Sequence, residues 1–322
     1  MGAPQTFVVF TSGVHARSLP QPMRRWLSRG VVSARAIERE PLLDVLEAVG
    51  VAPPAAGLAA LRYRGQTGKA PTGWLAAADP LHLETRLRHL VLRPFHPGEV
   101  TAEEMDAILA SIRSAFPDDE LEFEQVAGRG YLRSDRPLAT AACSAECRGG
   151  RLPDDYMPAG AEAASFHRLQ SEIQMLLHEH PVNEARRQRG QLVINTLWLW
   201  GGGTAGDDDS TRLPALVGDD PLFHGAWSSR GQRASAWTAD LFGATNRLLA
   251  DTVVTVPGVD ARGHAVDPVG VLEDLYTAMR RGRLGPLTLF LGADIVVRIR
   301  RSDGLKFWRG MSPLLEDAND DD

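Results

Sequence analysis

The sequence has few cysteines and no long hydrophobic run, and both scarcities narrow the kind of protein it encodes. Two cysteines in 322 residues, Cys143 and Cys147, exclude a disulfide scaffold and make a reducing cytoplasm the expected location. No stretch reaches about 18 uninterrupted apolar residues, so no membrane span is predicted. No basic segment precedes the apolar run at Phe7 to Phe10, so no signal peptide is expected. The composition, 43% hydrophobic and 24% charged, is typical of an ordinary folded protein.

Lysine is also scarce, and positive charge does not dominate the chain. Only Lys69 and Lys306 are lysines among 35 basic residues, a bias typical of a GC-rich genome. Five acidic residues lie in the segment 316–322, and without these five charges the formal net charge of −6 becomes −1. A near-neutral body gives no signal for nucleic-acid binding, so we expect neither nucleic acid nor a membrane as partner. The acidic tail at 316–322 is expected to be disordered.

Hydrophobic periodicity predicts the α/β class: a partly parallel sheet flanked by helices, with a small α+β unit and a C-terminal antiparallel meander. The apolar runs from Phe7 to Phe10 and from Thr252 to Val256 are typical of buried strands. The run from Leu192 to Trp200 is typical of a strand buried on both faces, as in a parallel sheet. Helical spacing occurs in four segments: Pro41 to Val51, Phe166 to His180, Ala234 to Leu249, and a helix opened by Asp267-Pro268.

The predicted organisation follows the chain in four consecutive parts. Residues 1–75 hold the N-terminal strand and a helical and loop segment, of which residues 52–73 are expected to be a surface connection. Residues 76–135 are the small α+β unit, residues 136–315 the α/β core with the meander, and residues 316–322 the tail. The meander is expected to comprise three strands: Leu287 to Leu291, Ile295 to Ile299, and Leu305 to Trp308.

The small α+β unit has the clearest local signals. Thr101 and Glu104 have the spacing of a capping box, and the helix that they begin is expected to stop at Pro117. A hairpin is expected over 121–134. The leucines from Leu83 to Leu92 suggest a short helix that leads into a strand.

Three local patterns are candidates for chemistry, and each has a plain structural alternative. The glycines at 201–203 can cradle a phosphate, but their spacing fits neither nucleotide motif and the aspartates at 207–209 would repel an anion. His178 and His180 face one metal only if a helix ends between them; otherwise they mark a helix C-terminus. Ser12 follows the first strand without the G-x-S-x-G motif of a nucleophile, so a turn residue is the alternative.

A further set of polar residues follows the second histidine: Asn183, Arg186, Asn195, Trp198 and Trp200. Asn195 interrupts an otherwise apolar strand, and a buried amide without partners costs about 1–3 kcal/mol. The set therefore serves either a hydrogen-bond network or a ligand. Cys143 and Cys147 are taken as ordinary residues, because two cysteines do not complete a zinc site without ligands from elsewhere.

Several stretches of the sequence form a recognisable pattern: Glu172 to His178, His180-Pro181-Val182-Asn183, Arg186, Gly190, Asn195 to Gly203, Tyr131 to Arg133, Tyr156 to Pro158, and Phe307 to Arg309. Together they resemble the bacterial family of RpfE-type regulatory proteins, whose members are often named phosphoglycerate mutase. The resemblance is spread over residues 75 to 310. The part from His180 to Gly203 is also similar to a segment of the archaeal-type, cofactor-independent phosphoglycerate mutases of the alkaline phosphatase superfamily.

That similarity implies an enzyme with two divalent metals and a serine that carries the phosphoryl group. Such chemistry needs acidic ligands after the first strand, where this chain has Thr11-Ser12-Gly13. It also needs a later Asp- and His-rich cluster, where the chain offers Asp260, His264 and Asp267. We therefore hypothesise a mutase-like regulatory protein that has lost the two-metal centre and has no cofactor. It is expected to act by binding a small phosphorylated metabolite or a protein partner.

Two sets of site residues follow from these hypotheses. Under the regulatory hypothesis, no catalytic or metal-binding residue is assigned, and the ligand-binding candidates are His180, Asn183, Arg186, Asn195, Trp198, Trp200, Gly201 and Gly203. The alternative is an active mutase or phosphatase that uses Mn²⁺ or Mg²⁺, with Ser12, His178, His180, Asp207 and His264 as its candidates.

Overall fold

In a computed structural model of the chain, the described residues are 5–11, 14–36, 39–85, 90–96, 98–117, 121–148, 151–152, 163–206, 210–242 and 251–316. They form thirteen strands and eight α-helices, numbered here in chain order. The first half comprises β1 (Thr6–Phe10), α1 (Gln21–Ser28), β2 (Val31–Ala34), α2 (Pro41–Ala48), α3 (Leu58–Thr67), β3 (Trp74–Thr85), β4 (Leu90–Pro94), α4 (Ala102–Ala115), β5 (Leu121–Val126), β6 (Arg129–Ser134) and β7 (Arg151–Leu152). The second half comprises α5 (Ala163–His178), α6 (Pro181–Gln188), β8 (Thr196–Thr204), β9 (Ala215–Val217), α7 (Pro221–Ser228), β10 (Ala234–Ser235), β11 (Thr252–Val256), α8 (Pro268–Arg280), β12 (Leu287–Leu291) and β13 (Ile295–Ile299).

Several predicted features lie outside these described residues. They are Ser12, Tyr156 to Pro158, Asp207 to Asp209, the end of the helix expected up to Leu249, and the tail from Asp317 onwards.

The chain divides into two compact units that interleave in sequence. The first unit contains Met1–Ile37, Thr211–Asp220 and Gln232–Asp322, and the second contains Glu38–Ser210 and Pro221–Gly231. The parts predicted from the sequence were consecutive, whereas each of these units is assembled from separated segments.

The first unit is built on a seven-stranded sheet with the order β10-β9-β11-β1-β12-β13-β2. The strands from β10 to β12 pair in parallel, and β13 pairs antiparallel with both β12 and β2. Apolar residues of α1 and α8, among them Trp26 and Leu27 of α1, pack in one core with the strands. The predicted α/β class, with a partly parallel sheet flanked by helices, is therefore confirmed.

Two predicted elements of the first unit are wrong. The segment expected to be the third strand of the meander, Leu305 to Trp308, is the end of a 3-10 helix (Arg301–Leu305) followed by a turn, and β2 pairs with β13 instead. The Asp303 side chain stabilises the 3-10 helix by accepting the Arg300 N–H. The segment from Ala234, expected to be a helix, instead begins with the short edge strand β10, whose backbone pairs with β9.

The second unit is built on a largely antiparallel sheet, in which β5, β6, β3, β4 and β7 follow one another and β8 also pairs with β3. The prediction that β8 lies in a parallel sheet is wrong, since it runs antiparallel to β3. Its burial on both faces is confirmed: Leu197 and Leu199 pack in a core with α4 and α5, while Trp200 lies against Arg62 of α3. Helices on both sides therefore give an antiparallel strand the continuous apolar pattern of a parallel one.

The helices of the second unit include one that the sequence did not reveal. α3 lies within residues 52–73, expected to be a connection, and it buries Leu58, Ala59 and Ala60. The short helix expected from Leu83 is also wrong, because Leu83 pairs with Leu92 across β3 and β4. The capping box of α4 and the β5-β6 hairpin are confirmed. No described helix is both long enough and apolar enough to cross a membrane.

Candidate functional site

All eight predicted ligand-binding residues lie in one region of the second unit, on α6, on β8 or directly before these elements. His180 is the residue that caps α6 at its N-terminus, and its Nδ1 accepts the backbone N–H of Val182 at 3.2 Å. The other ring nitrogen, Nε2, lies 2.9 Å from Oγ of Ser111. Because Nδ1 accepts a hydrogen bond, the ring is neutral and carries its proton on Nε2. The predicted helix C-terminus is confirmed as well, since α5 ends at His178 and the His180 N–H donates to the Leu177 carbonyl oxygen at 3.3 Å.

Burial of the His180 ring lowers its pKa below the usual range. The lowered pKa agrees with the hydrogen-bond pattern, since a charged imidazolium has no lone pair with which to cap the helix. His180 therefore holds α6 in place as a neutral side chain.

Asn183 uses its whole amide group inside the protein. Its Nδ2 donates to the carbonyl oxygens of Leu177 and Ile194, at 2.7 and 2.6 Å, and its Oδ1 accepts the Ile194 N–H at 2.8 Å. The residue is almost completely buried. It joins the end of α5, the start of α6 and the segment before β8, so its role in this structure is to connect three elements.

Arg186 is a buried cation with protein partners on every side. Its Nε donates to the Leu192 carbonyl at 2.7 Å, and its Nη1 donates to the Glu99 carbonyl and, at 2.6 Å, to Oε2 of Glu104. The guanidinium also lies 5.1 Å from the centre of the Phe95 ring. Glu104 accepts a further bond from Arg189 at 2.6 Å, in addition to its part in the capping box. One carboxylate thus ties α4 to α6.

Asn195 extends the pairing of β8 with β3 by means of its side chain. Its Oδ1 accepts the Leu83 N–H at 2.7 Å, and its Nδ2 donates to the Leu83 carbonyl at 2.8 Å. The side-chain amide thus pairs with the N–H and the carbonyl of Leu83 in the way that the backbone of a strand residue would. Of the two alternatives, network or ligand, the geometry places this amide in a network.

Two tryptophans project from β8 towards polar partners. The indole N–H of Trp198 donates to the carbonyl oxygen of Cys143 at 2.9 Å, and that of Trp200 donates to Oδ2 of Asp79 at 2.7 Å. Trp198 thereby holds the cysteine-containing segment against β8.

The glycines of β8 make room for a helix. Gly201 and Gly203 have φ values of 65° and 155°, and a Cβ on Gly203 would lie 2.4 Å from the backbone nitrogen of Gly57. Gly57 precedes α3, and its N–H donates to the Gly202 carbonyl at 3.2 Å. These glycines therefore allow the start of α3 to pack directly on the strand, which accounts for their presence without a phosphate.

A buried charged network that sequence reasoning missed surrounds Trp200. Arg62 donates from Nη1 to both oxygens of Asp79, at 2.9 and 2.7 Å, and from Nε to the hydroxyl of Tyr131 at 2.9 Å. Its guanidinium carbon lies 4.7 Å from the centre of the Tyr131 ring and 5.2 Å from that of Trp200. The Tyr131 hydroxyl donates to Gln66.

The protonation states of this network follow from burial and charge. Burial acts to raise the pKa of Asp79, but the charges of Arg62 and Arg129 and the hydrogen bonds from Arg62 and Trp200 together outweigh burial, so the pKa of the carboxyl lies below its usual range. Burial acts to lower the pKa of Arg62, but its charge interactions and hydrogen bonds with Asp79 and Tyr131 together raise that pKa above its usual range. For Tyr131, burial raises the pKa. The only sequence signal was an aspartate within an apolar, alanine-rich run, which does not identify its partner.

Of the residues proposed for the alternative enzyme, Ser12 and Asp207 lie outside the described part of the chain, and the three histidines are divided between the two units. His178 is exposed at the end of α5 and belongs to the second unit, whereas His264 is exposed in the first. Asp260 accepts the N–H groups of Arg262 and His264, and Asp267 caps α8. Across the described ranges, one group of at least three His, Cys, Asp or Glu residues could hold a metal: Glu40, Cys143 and Cys147.

A two-metal phosphoryl-transfer centre does not fit this donor set. Mn²⁺ and Mg²⁺ prefer oxygen ligands, and a pair of metals needs several convergent carboxylates and histidines. Glu40 supplies one carboxylate, and the two other donors are thiols.

Comparison with known proteins gives a distant relationship. No family model matches the chain. The chain is 25% identical over 152 residues to the 2,3-bisphosphoglycerate-independent phosphoglycerate mutase of Methanosarcina barkeri, covering 43% of this chain and 38% of that protein. The mutase of Methanothrix thermoacetophila is 26% identical over 173 residues, covering 52% and 39%. That of Methanosarcina mazei is 23% identical over 213 residues, covering 57% and 52%.

The chain therefore matches about half, or less, of the length of these curated relatives. Among solved structures, the cofactor-independent phosphoglycerate mutase from Thermoplasma acidophilum is 14% identical, with 99% of this chain and 95% of that chain covered and a TM-score of 0.41. The chain is thus distantly similar in sequence to cofactor-independent phosphoglycerate mutases.

Proposed function

We propose that this chain is a mutase-like regulatory protein of the RpfE type that acts by binding rather than by catalysis. One observation carries the proposal: the polar side chains of the mutase-like segment, from His180 to Trp200, bond to other parts of the second unit. In an active site such groups would converge on a substrate. We further propose a cytoplasmic protein, since neither cysteine is in a disulfide.

The donor set of the described residues supports the same proposal. The alternative, an active mutase or phosphatase with Mn²⁺ or Mg²⁺, needs a serine nucleophile and metal ligands. Ser12, Asp207 and His264 are candidates for these roles. The described histidines of that set are occupied by local contacts or exposed, as His180 and His178 are. The distant sequence similarity to mutases is the observation that favours the alternative.

A coupled assay for conversion of 3-phosphoglycerate to 2-phosphoglycerate, with and without added Mn²⁺, decides between the two functions. We expect no rate above background from folded protein, while an archaeal mutase assayed in parallel turns over. A saturable rate that rises with Mn²⁺ and disappears in His264→Ala would overturn the regulatory proposal and favour the alternative.

For the bound species, the first unit favours a protein over a small phosphorylated metabolite. Phe307 and Trp308 are 79% and 69% exposed, beside Leu305 at 73%. Adjacent exposed aromatic residues are enriched at the centres of protein interfaces. The mutase-like segment, by contrast, has its polar groups engaged internally.

Pull-down with the full chain and a Phe307→Ser/Trp308→Ser variant tests the protein partner. We expect the variant to lose the captured protein, while Met175→Ser retains it, because Met175 is equally exposed but lies in the second unit. Capture that is indifferent to the aromatic substitutions, together with titratable binding of 3-phosphoglycerate in calorimetry, would instead favour the metabolite.

A further inference from the structure

Two cysteines and a glutamate that the proposed function does not use converge in the second unit. Ligand atoms of Glu40, Cys143 and Cys147 all lie within 4.8 Å of one another. Cys143 is 0%, Cys147 5% and Glu40 6% exposed. The three residues come from two segments that are about one hundred residues apart, so the fold, and not the local sequence, brings them together.

Short backbone contacts hold the glutamate and the cysteines in this arrangement. Glu40 directly precedes α2, and its Oε1 accepts the Ser144 N–H at 2.6 Å. Oγ of Ser144 accepts the Cys147 N–H at 3.3 Å. The Cys147 thiol donates to the carbonyl oxygen of Arg39 at 2.8 Å. The Glu40 carboxylate and the Cys147 thiol are thus each placed by a residue adjacent to another member of the group.

The strand β8 fixes the cysteine-containing segment from the other side. Backbone bonds of 2.9 Å join Ala141 N–H to the Leu199 carbonyl and Gly201 N–H to the Ala141 carbonyl. The indole of Trp198 donates to the carbonyl oxygen of Cys143. A metal site needs ligands that are held in position by such outer contacts, because they reduce the cost of ordering the ligands when the ion binds.

The chemistry of the three groups favours a soft divalent cation. Two ionised thiols and a carboxylate would put three negative charges in a buried space, which is costly unless a cation compensates them. Thiolates select Zn²⁺ over Mg²⁺ or Mn²⁺. Bonds of about 2.3 Å in a tetrahedral site separate two sulfurs by about 3.8 Å, so the observed group needs only a small contraction to close on an ion.

We propose that Glu40, Cys143 and Cys147 bind one Zn²⁺ ion, with a fourth position left to water or another ligand. When the ion binds, both thiols lose their protons to solvent, including the proton that Cys147 shares with the Arg39 carbonyl. The three proposed ligands are not among the residues on which the regulatory proposal rests, although Trp198 of the mutase-like segment contacts the backbone of Cys143. The test measures bound metal, and not turnover or partner capture, so the two proposals can fail separately.

Metal content of the full chain, purified without a metal-affinity step, is the direct test. We expect about one zinc per chain by mass spectrometry of the elements, and X-ray absorption at the zinc edge to show two sulfur ligands at about 2.3 Å. Cys143→Ser and Cys147→Ser should each lose the zinc. Glu40→Gln should weaken zinc affinity, whereas Glu47→Gln, whose carboxylate pairs with Arg39 on the outside, should leave it unchanged.

Cobalt gives a second readout that does not depend on how well the cysteine variants fold. Wild-type protein loaded with Co²⁺ should develop a thiolate-to-cobalt charge-transfer band in the near ultraviolet. The proposal is overturned if folded wild-type protein binds neither ion and both thiols react with a thiol reagent at once. It is equally overturned if, without reductant, the intact chain is two hydrogen masses lighter, because a disulfide then replaces the site.

Trp198 is a positioning residue of this site, since it contacts the backbone of Cys143 and not the ion. Trp198→Phe keeps the ring but removes the indole N–H. We expect zinc affinity to fall about 10–100-fold, the usual range for outer contacts of metal sites, with the stoichiometry at saturating zinc unchanged. Unchanged affinity in a variant with native circular dichroism would remove Trp198 from the site.

Discussion

At the scale of single residues, Arg62 and Asp79 are the side chains on which the interior of the second unit most depends. Both are buried, and the guanidinium reaches both carboxylate oxygens. Arg62 also donates to the Tyr131 hydroxyl and the Gly130 carbonyl, and Asp79 also accepts the indole N–H of Trp200. Removing one member of a buried ion pair is costly mainly because the other member is left as an uncompensated buried charge.

Single substitutions in this pair should therefore cost more than removing both charges. Asp79→Asn and Arg62→Met are each expected to lower the free energy of unfolding by about 3–5 kcal/mol. The double variant should lose clearly less than the sum, because neither charge is then left alone. Urea denaturation of the four proteins measures the coupling, and strictly additive losses would show that the pair is not coupled.

His180 is the second residue with a testable electrostatic role. Its pKa in the folded protein is lowered by burial. As the pH falls, the unfolded chain therefore binds a proton at this histidine before the folded protein does, which favours unfolding. The stability that depends on the neutral ring is therefore complete above the usual histidine value of about 6.5 and is lost as the pH falls through the lower folded pKa.

Replacing this histidine with a non-titrating cap should flatten the pH dependence. In His180→Asn the amide can still accept the Val182 N–H, and Asn is a favoured N-cap. Between about pH 7 and pH 5, wild type should lose stability relative to the variant, with a slope of at most about 1.4 kcal/mol per pH unit. Parallel curves for the two proteins in denaturant titrations would contradict a buried neutral ring.

At the scale of elements, the contact of β8 with the start of α3 depends on glycine. Gly203→Ala would place a methyl group against the Gly57 backbone in a conformation that L side chains rarely adopt. We expect a loss of about 1–3 kcal/mol of unfolding free energy. Gly206→Ala, where a Cβ meets nothing within 4 Å, should change stability by less than about 0.5 kcal/mol. Equal effects in thermal unfolding would refute the close approach.

Elements with a local signal could be predicted, and those defined by a distant partner could not. The capping box at Thr101 and the proline at the start of α8 act within one helical turn, so the sequence contains the whole cause. By contrast, Leu83 is in a strand because Leu92 pairs with it and because Thr196 pairs with Leu81 of the same strand. In the same way, β2 belongs to the first sheet because it pairs with β13.

The candidate site shows the same limit. The predicted residues lie together around α6 and β8, but the sequence does not name their partners. Glu104 for Arg186, and Asp79 for Trp200, come from segments about one hundred residues away. Glu40 beside the cysteines is a further example, because nothing near Cys143 in sequence indicates a third donor.

At the scale of the whole molecule, each unit has a hydrophobic core of its own. Leu289 of β12 belongs to the core of the first unit, and Ile108 of α4 to that of the second. Both side chains are fully buried, so truncation to alanine should cost about 2–5 kcal/mol in each case.

Hydrogen exchange should separate the two cores. Leu289→Ala is expected to reduce amide protection chiefly in the seven-stranded sheet, and Ile108→Ala chiefly in the sheet that contains β3 and β8. Exchange followed by mass spectrometry of peptides assigns the change to each sheet. If either variant lowers protection equally in both sheets, the molecule unfolds as one cooperative unit.

The central position of β1 also sets an order of events during synthesis. β1 pairs in parallel with β11 and β12, whose residues Thr252 and Leu287 lie opposite Thr6. At about 5–20 residues per second, the ribosome delivers those partners on the order of tens of seconds after β1 itself. The sheet of the second unit is complete once β8 has emerged. The apolar strand Thr6–Phe10 therefore stays unpaired for some time after the sheet of the second unit is complete, and we expect the nascent chain to need a chaperone most during this interval.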